Sequence, residues 1–446
     1  MKLLSFLVVL TLTTTPALSV EVSSKELKKY KKQLRLFEKK KTTLGLREFI
    51  EDRAAENDPQ TVVLVPPAGI AVPKAAFHEL AVERLSKLQN REAIEALVKM
   101  LSRRKEDVRH RMLILDAFGR RGDSRSLEVI IEQLRSKTSL VQIAAVRAAA
   151  RRKDRDVVAP LIDLLDARWK ARDRVWAEIR VALHRLTAQD FASVEDWRKF
   201  WSAHGANFDP RKVGRNIGDD SDRTLVDLKL DDVEFFGGQI NSHNLIFVID
   251  TSSSMLQWDD ADSARGSLRE KERRRQRLRR AKVELARALK KLPRSARFNI
   301  IAYSDTVAPW SKRLQLATNS NVQRALRFIG LFRAEGKTHT DEALELALQD
   351  LRVDTVVLLS DGSPEKKNYV APVSLPEKIL QWVRDVYPSR KVRIDTFGFT
   401  GIGSWPEKLP LGGSAPPPQT PLQVHAFEDF LKQLAKETGG VYRPIK

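Results

Sequence analysis

The chain has 446 residues, which at about 150 per domain points to roughly three domains. Apolar residues make up 42% and charged residues 31%, enough apolar material for packed cores and too much for a disordered chain. Lysine and arginine number 79 against 58 acids, a net charge of +21 that admits an acidic or polyanionic partner, and the absence of cysteine excludes disulfides, thiolate zinc sites, cysteine nucleophiles and iron–sulfur clusters.

Residues 1–19 read as a secretory signal. Lys2 is followed by eight apolar residues in the ten from Leu3 to Leu12, then by Pro16-Ala17-Leu18-Ser19, with cleavage expected after Ser19. The apolar run is shorter than the roughly 20 residues a spanning helix needs, and no later run is longer, so no transmembrane segment is expected in the mature chain. Export without cysteine points to a bacterial setting, periplasmic or extracellular.

Residues 20–75 read as a basic helix and an extended linker. Ser23 and Glu26 form a capping-box pattern, and nine Lys or Arg lie between Lys25 and Lys41. The helix is expected to run to about Arg53. Thr61 to Pro73 is apolar, rich in proline and expected to be extended.

Residues 76–205 repeat. Ile94, Leu127 and Val158 correspond, as do Leu101, Leu134 and Leu165, at spacings of 33 and 31 residues. Val108, Val141 and Val175 follow at 33 and 34. Each unit reads as two amphipathic helices that bury their apolar faces only by stacking on neighbours. The pattern, with alanine-rich second helices such as Ile143-Ala144-Ala145-Val146, resembles HEAT repeats. Trp197 and Trp201, one helical turn apart, are expected to cap the stack. Residues 206–242 read as a polar linker, with an edge strand expected within 223–236.

Residues 243–446 alternate strand and helix patterns, the signature of a doubly wound, Rossmann-like α/β domain. Leu245 to Ile249 is a continuous apolar run, as a parallel strand buried on both faces requires. Ligand sites in such sheets lie at the carboxyl ends of the strands. There the first strand runs into Asp250-Thr251-Ser252-Ser253-Ser254, a later strand into Ser360-Asp361-Gly362, and a loop between them reads Gly336-Lys337-Thr338-His339-Thr340. Two carboxylates and three hydroxyls make an all-oxygen set suited to a hard cation, Mg²⁺ or Mn²⁺.

These loops resemble the metal-ion-dependent adhesion site of von Willebrand factor type A (VWA) domains. The family pattern Asp-x-Ser-x-Ser, then Thr, then Asp falls on Asp250, Ser252, Ser254, Thr338 and Asp361. The resemblance implies a divalent cation held by these five residues and completed by an acidic residue of a protein partner. Lys337 stands where many relatives carry glycine and adds a cation at the rim.

No catalytic site is expected. Ser252 lacks a Gly-x-Ser-x-Gly elbow, His339 is read as a rim residue, and there is no phosphate loop. Two insertions stand out: a basic one over 257–282, with nine Lys or Arg against two acids between Arg269 and Lys282, and a Pro-rich loop over 401–423. The first is read as a steering surface for acidic ligands or a solvated helix start. The sequence as a whole reads as a multidomain exported binding protein, a HEAT-like α-solenoid followed by a VWA domain. The alternatives are an envelope protein that binds an anionic polymer or surface through its basic segments, and a metal-assisted hydrolase. No nucleic acid partner is expected.

Overall fold

Two patterns of apolar spacing divide the chain, and the computed structural model follows both. It describes residues 22–103, 105–213, 233–259, 276–365, 373–401, 403–405 and 419–445. The expected export signal, most of the linker's polar stretch and the bulk of both insertions lie outside the described residues.

The first half is helical. Helices α1 (Ser24–Lys40), α2 (Leu46–Ala55), α3 (Pro59–Val62) and α4 (Val65–Ala71) precede α5 (Ala75–Ser86) and α6 (Arg91–Ser102). The single helix expected to Arg53 is two, because Lys41 turns left-handed at φ 52° and ends α1. The stretch 61–73, expected to be extended, is largely helical. Asp58 caps the first turn of α3 by accepting from the Gln60 and Thr61 amides, and the prolines sit at helix starts, where no amide donor is missed. Val62, Val65, Ala68 and Ile70 are buried in the same core as the repeats, so burial overrode the local preference.

Three helix pairs then stack: α6 with α7 (Val108–Phe118), α8 (Ser124–Gln133) with α9 (Ser139–Arg152), and α10 (Val158–Arg168) with α11 (Arg174–Thr187). One core runs from Leu34 to Trp197. Alanine in α9 lets α7 approach closely, since a Cβ on Gly119 would lie 2.9 Å from the Ala148 Cα. Helix α12 (Val194–His204) closes the stack: Trp197 is fully buried against Phe191 and Phe200, while Trp201 is half-buried beside Phe208. No helix among the described residues is long and apolar enough to cross a membrane.

The second half is an α/β sheet. Strands β3 (Asn244–Asp250), β4 (Arg297–Tyr303), β7 (Thr355–Ser360), β8 (Arg393–Phe399) and β9 (Tyr442–Ile445) are parallel, in the spatial order β4-β3-β7-β8-β9. Helices α13 (Arg277–Lys291), α14 (Asn319–Gly330), α15 (Thr340–Ala347), α16 (Leu375–Arg390) and α17 (Pro421–Thr438) cover its two faces. The sheet is not purely parallel: short strands β5 (Val307–Pro309) and β6 (Gln315–Leu316) add antiparallel to the outer edge of β4. The edge strand expected within 223–236 instead forms a separate ribbon, β1 (Glu234–Phe235) with β2 (Gly238–Gln239), whose Phe235 packs on Phe247 and Phe397.

The solenoid grips the sheet domain at the amino ends of its strands. Helix α16 packs on α5 and α7. Lys74 pairs with Asp385 at 2.6 Å, Lys391 with Asp116 at 2.7 Å, and Arg147 donates to the Tyr387 hydroxyl at 3.0 Å. The buried Arg174 donates to the Asp354 carbonyl just before β7 while pairing with Glu178. Helices α5, α7, α9 and α11 thereby contact the sheet domain, and the carboxyl ends of the strands stay clear of this junction.

Candidate metal site at the carboxyl ends of the strands

The order of strands reverses around β3, whose neighbours are β4 and β7. The ends of β3 and β7 therefore meet at the switch point, where Ile249 stands opposite Leu359. Asp250 is fully buried there. Its Oδ1 accepts from the Ser252 amide at 2.8 Å, and its Oδ2 accepts from the Ser360 hydroxyl at 2.6 Å. The loop after it is fixed by Thr251, whose amide and hydroxyl both donate to the Tyr303 carbonyl, and by a short turn at Ser253–Leu256 that buries Met255.

The second loop is locked to the first. The Ser253 amide donates to the Gly336 carbonyl at 3.0 Å, and the Glu335 amide to the Thr251 carbonyl at 2.9 Å. Gly336 adopts φ +76°, and a Cβ there would lie 2.7 Å from Asp305 Oδ2, so this position needs glycine on both counts. Asp305 also accepts from the Lys337 amide. Thr338 comes next, buried, and its carbonyl accepts from the Glu365 amide at 3.0 Å, which ties in the third loop.

The third loop supplies Asp361, fully buried. Ser254 donates to its Oδ1 at 2.6 Å, and the Ser252 and Ser254 hydroxyls are 3.0 Å apart. The five residues singled out in the sequence thus lie on three interlocked loops, and four of them form one hydrogen-bonded chain, with Ser360 as an added support. The Thr338 hydroxyl makes no hydrogen bond among the described residues.

The electrostatics are those of an anionic pair out of water. Burial, and after it the Asp361 charge, pushes the Asp250 carboxyl well above the ordinary carboxylate range. Asp361 is raised as well, burial outweighing the opposing pull of Arg277. No basic side chain pairs with Asp250 among the described residues. No cluster of three His, Asp or Glu suited to a metal stands among the described residues. A buried carboxylate pair with hydroxyls beside it fits a hard divalent cation, which would offset the repulsion.

Arg277 and Asp259 are the residues that sequence reasoning missed. Arg277 is 0% exposed and donates to Asp361 Oδ2 at 2.9 Å, to Asp259 Oδ1 at 2.8 Å and to the Gly401 carbonyl at 2.6 Å. Arg280 also pairs with Asp259. At the described end of the basic insertion Arg277 is therefore turned inward, while Arg279 stays exposed. Residues 260–275 lie outside the described residues. Lys337 is exposed and 3.5 Å from Glu365. The ring nitrogens of His339 have no hydrogen-bond partner among the described residues. Its carboxylate neighbours are Asp305 at 4.0 Å and Glu342 at 3.9 Å.

Residues 245–363 match the family model described as von Willebrand factor type A domain, and residues 94–180 match HEAT repeats. The chain thus carries a VWA domain behind a HEAT-type helical region, and VWA domains are typically adhesion or protein-interaction modules. It is similar to the mouse (Mus musculus) inter alpha-trypsin inhibitor, heavy chain 4, at 28% identity over 135 residues, 28% of this chain and 12% of that protein's length. Among solved structures it is similar to a von Willebrand factor type A protein from Catenulispora acidiphila (18% identity, 47% of this chain and 40% of that one, TM-score 0.32). Another is the conserved hypothetical protein BatB from Bacteroides thetaiotaomicron (14% identity, 45% and 89%, TM-score 0.31).

Proposed function

We propose that this chain is an exported, non-enzymatic binding protein whose VWA domain engages a protein partner through a divalent cation, Mg²⁺ or Mn²⁺. Asp250, Ser252, Ser254, Thr338 and Asp361 would hold the cation, and an aspartate or glutamate of the partner would complete its shell. The observation that carries this reading is the continuous hydrogen-bonded run Asp250–Ser252–Ser254–Asp361 at the sheet's switch point.

When bound, the cation supplies Lewis-acid attraction for a carboxylate. The chain's own residues do the rest. Ser360 and the Ser252 amide orient Asp250, the Gly336 turn sets Thr338, and Ser254 and Arg277 orient Asp361. The helical repeats act as a scaffold, holding the domain from the opposite ends of its strands and leaving the site open to a partner.

The test is retention on an immobilised poly-glutamate peptide. Retention in Mg²⁺, release by a chelator at constant ionic strength, and loss of retention in Thr338→Ala support the reading. Equal retention of both proteins, indifferent to chelator and abolished by moderate salt, would favour the anionic-polymer alternative.

A further inference from the structure

Arg277 is the first residue of α13, at the point where the basic insertion returns to the fold. A guanidinium there is expected to reach water, yet this one is sealed in. The Arg277 amide donates to the Gln257 carbonyl at 3.0 Å, and Trp258 exchanges backbone hydrogen bonds with Ser404 at 2.8 and 3.0 Å. A Cβ on Gly403 would lie 2.8 Å from Arg277 Nη2, so the loop after β8 closes directly over the guanidinium. Three loops that flank the site are thereby tied to one side chain.

The consequence for the site is electrostatic. Both Asp361 oxygens are engaged, Oδ1 by Ser254 and Oδ2 by Arg277, whereas Asp250 receives no charged partner among the described residues. Asp259 in turn shares the guanidinium and also pairs with Arg280. The charge on Arg277 is thus divided between an acid of the site and an acid outside it.

We propose that Arg277 is a built-in counter-cation of the candidate site. It shares Asp361 with the divalent ion and holds the ion's affinity low, so that firm loading requires the partner's carboxylate. Asp259 tunes this by drawing part of the guanidinium's charge away from Asp361. The proposal rests on the cation-site reading above. It makes Arg277 a positioning residue, with an effect opposite in sign to structural damage: removing it tightens cation binding. A unit charge and a divalent ion sharing one carboxylate repel enough to change affinity about tenfold even at a water-like dielectric.

The experiment is calorimetric titration of MgCl₂ into the full chain and three variants, each checked for a cooperative melt. Arg277→Gln is expected to bind Mg²⁺ about tenfold more tightly than the parent. Arg277→Lys, which keeps the charge, is expected to stay within about threefold. Asp259→Asn, which leaves the guanidinium to Asp361, is expected to bind about threefold or more weakly. Unchanged or weaker binding by a folded Arg277→Gln, or unchanged or tighter binding by Asp259→Asn, overturns it while leaving the site intact. Should Arg277→Gln fail to fold, Asp259→Asn decides alone. No saturable binding by any of the four proteins overturns the site reading itself, and this inference with it.

Discussion

Lys391 Nζ lies 2.7 Å from Asp116 Oδ2, joining the residue after α16 of the VWA domain to helix α7 of the solenoid, with both side chains nearly sealed from water. Burial works against the Asp116 carboxylate, but Lys391 beside it prevails and holds the carboxyl below its ordinary range. Removing one member of such a pair strands the other, at a cost of about 3–5 kcal/mol. Lys391→Met is therefore expected to lower stability in chemical denaturation by about that amount. The double variant with Asp116→Asn is expected to regain much of the loss. A loss below about 1 kcal/mol would show that the junction does not depend on this pair.

His78 sits in the same junction, 3.8 Å from Asp116, with Lys391, Glu79 and Arg120 also facing it. Burial is the larger cause and pushes the imidazole down to about 4, although Asp116 pulls the other way. A base whose folded value lies below its unfolded one binds more protons when unfolded. Stability should therefore be full above about pH 6.5 and fall as pH drops towards 4, by up to about 3 kcal/mol. Urea midpoints measured from pH 7 to 4 check this, and His78→Gln should flatten the slope across that window. An equal slope in the variant would assign the acid sensitivity to other groups.

Trp197 closes the solenoid core on Phe191 and Phe200. Trp197→Ala should cost about 3–5 kcal/mol, read as an early loss of helical signal on heating. Mg²⁺ affinity should be unaffected below that transition, because the site lies in the other half of the chain. A parallel fall in cation affinity would mean that the two halves are coupled through more than the junction described.

Gly336→Ala should cost roughly 1–3 kcal/mol, since the left-handed backbone and the Asp305 carboxylate both oppose a Cβ. Because Gly336 sets Thr338, cation binding should weaken at least as much as in Thr338→Ala. Unchanged titration curves would detach Thr338 from the site.

That the five candidate residues meet at one edge of the sheet was legible in the sequence, because they fall in loops at strand ends. Leu245 to Ile249 reads as a buried strand, and the loop leaving the carboxyl end of such a strand in a doubly wound sheet lies at the ligand edge. The repeat was legible through the spacing of Ile94, Leu127 and Val158. Arg277 was not, because an arginine among nine basic residues reads as a solvated face until the partner acids, 84 and 18 positions away in sequence, are placed beside it. The break at Lys41 depends on a left-handed backbone that lysine does not advertise. The helices over 59–71 depend on burial that proline-rich composition conceals. Strands β5 and β6 are too short for a period-2 pattern to register.

The most direct test of the central claim is a titration of Mg²⁺ into the full chain beside Asp250→Ala, with melting followed in both. Saturable one-site binding and a cation-dependent rise in melting temperature are expected for the parent. Neither is expected for Asp250→Ala, which should still melt cooperatively because the change removes a buried carboxylate that no basic side chain pairs among the described residues. Equal Mg²⁺ binding by the two proteins would place the cation elsewhere and overturn the assignment of Asp250 as a ligand.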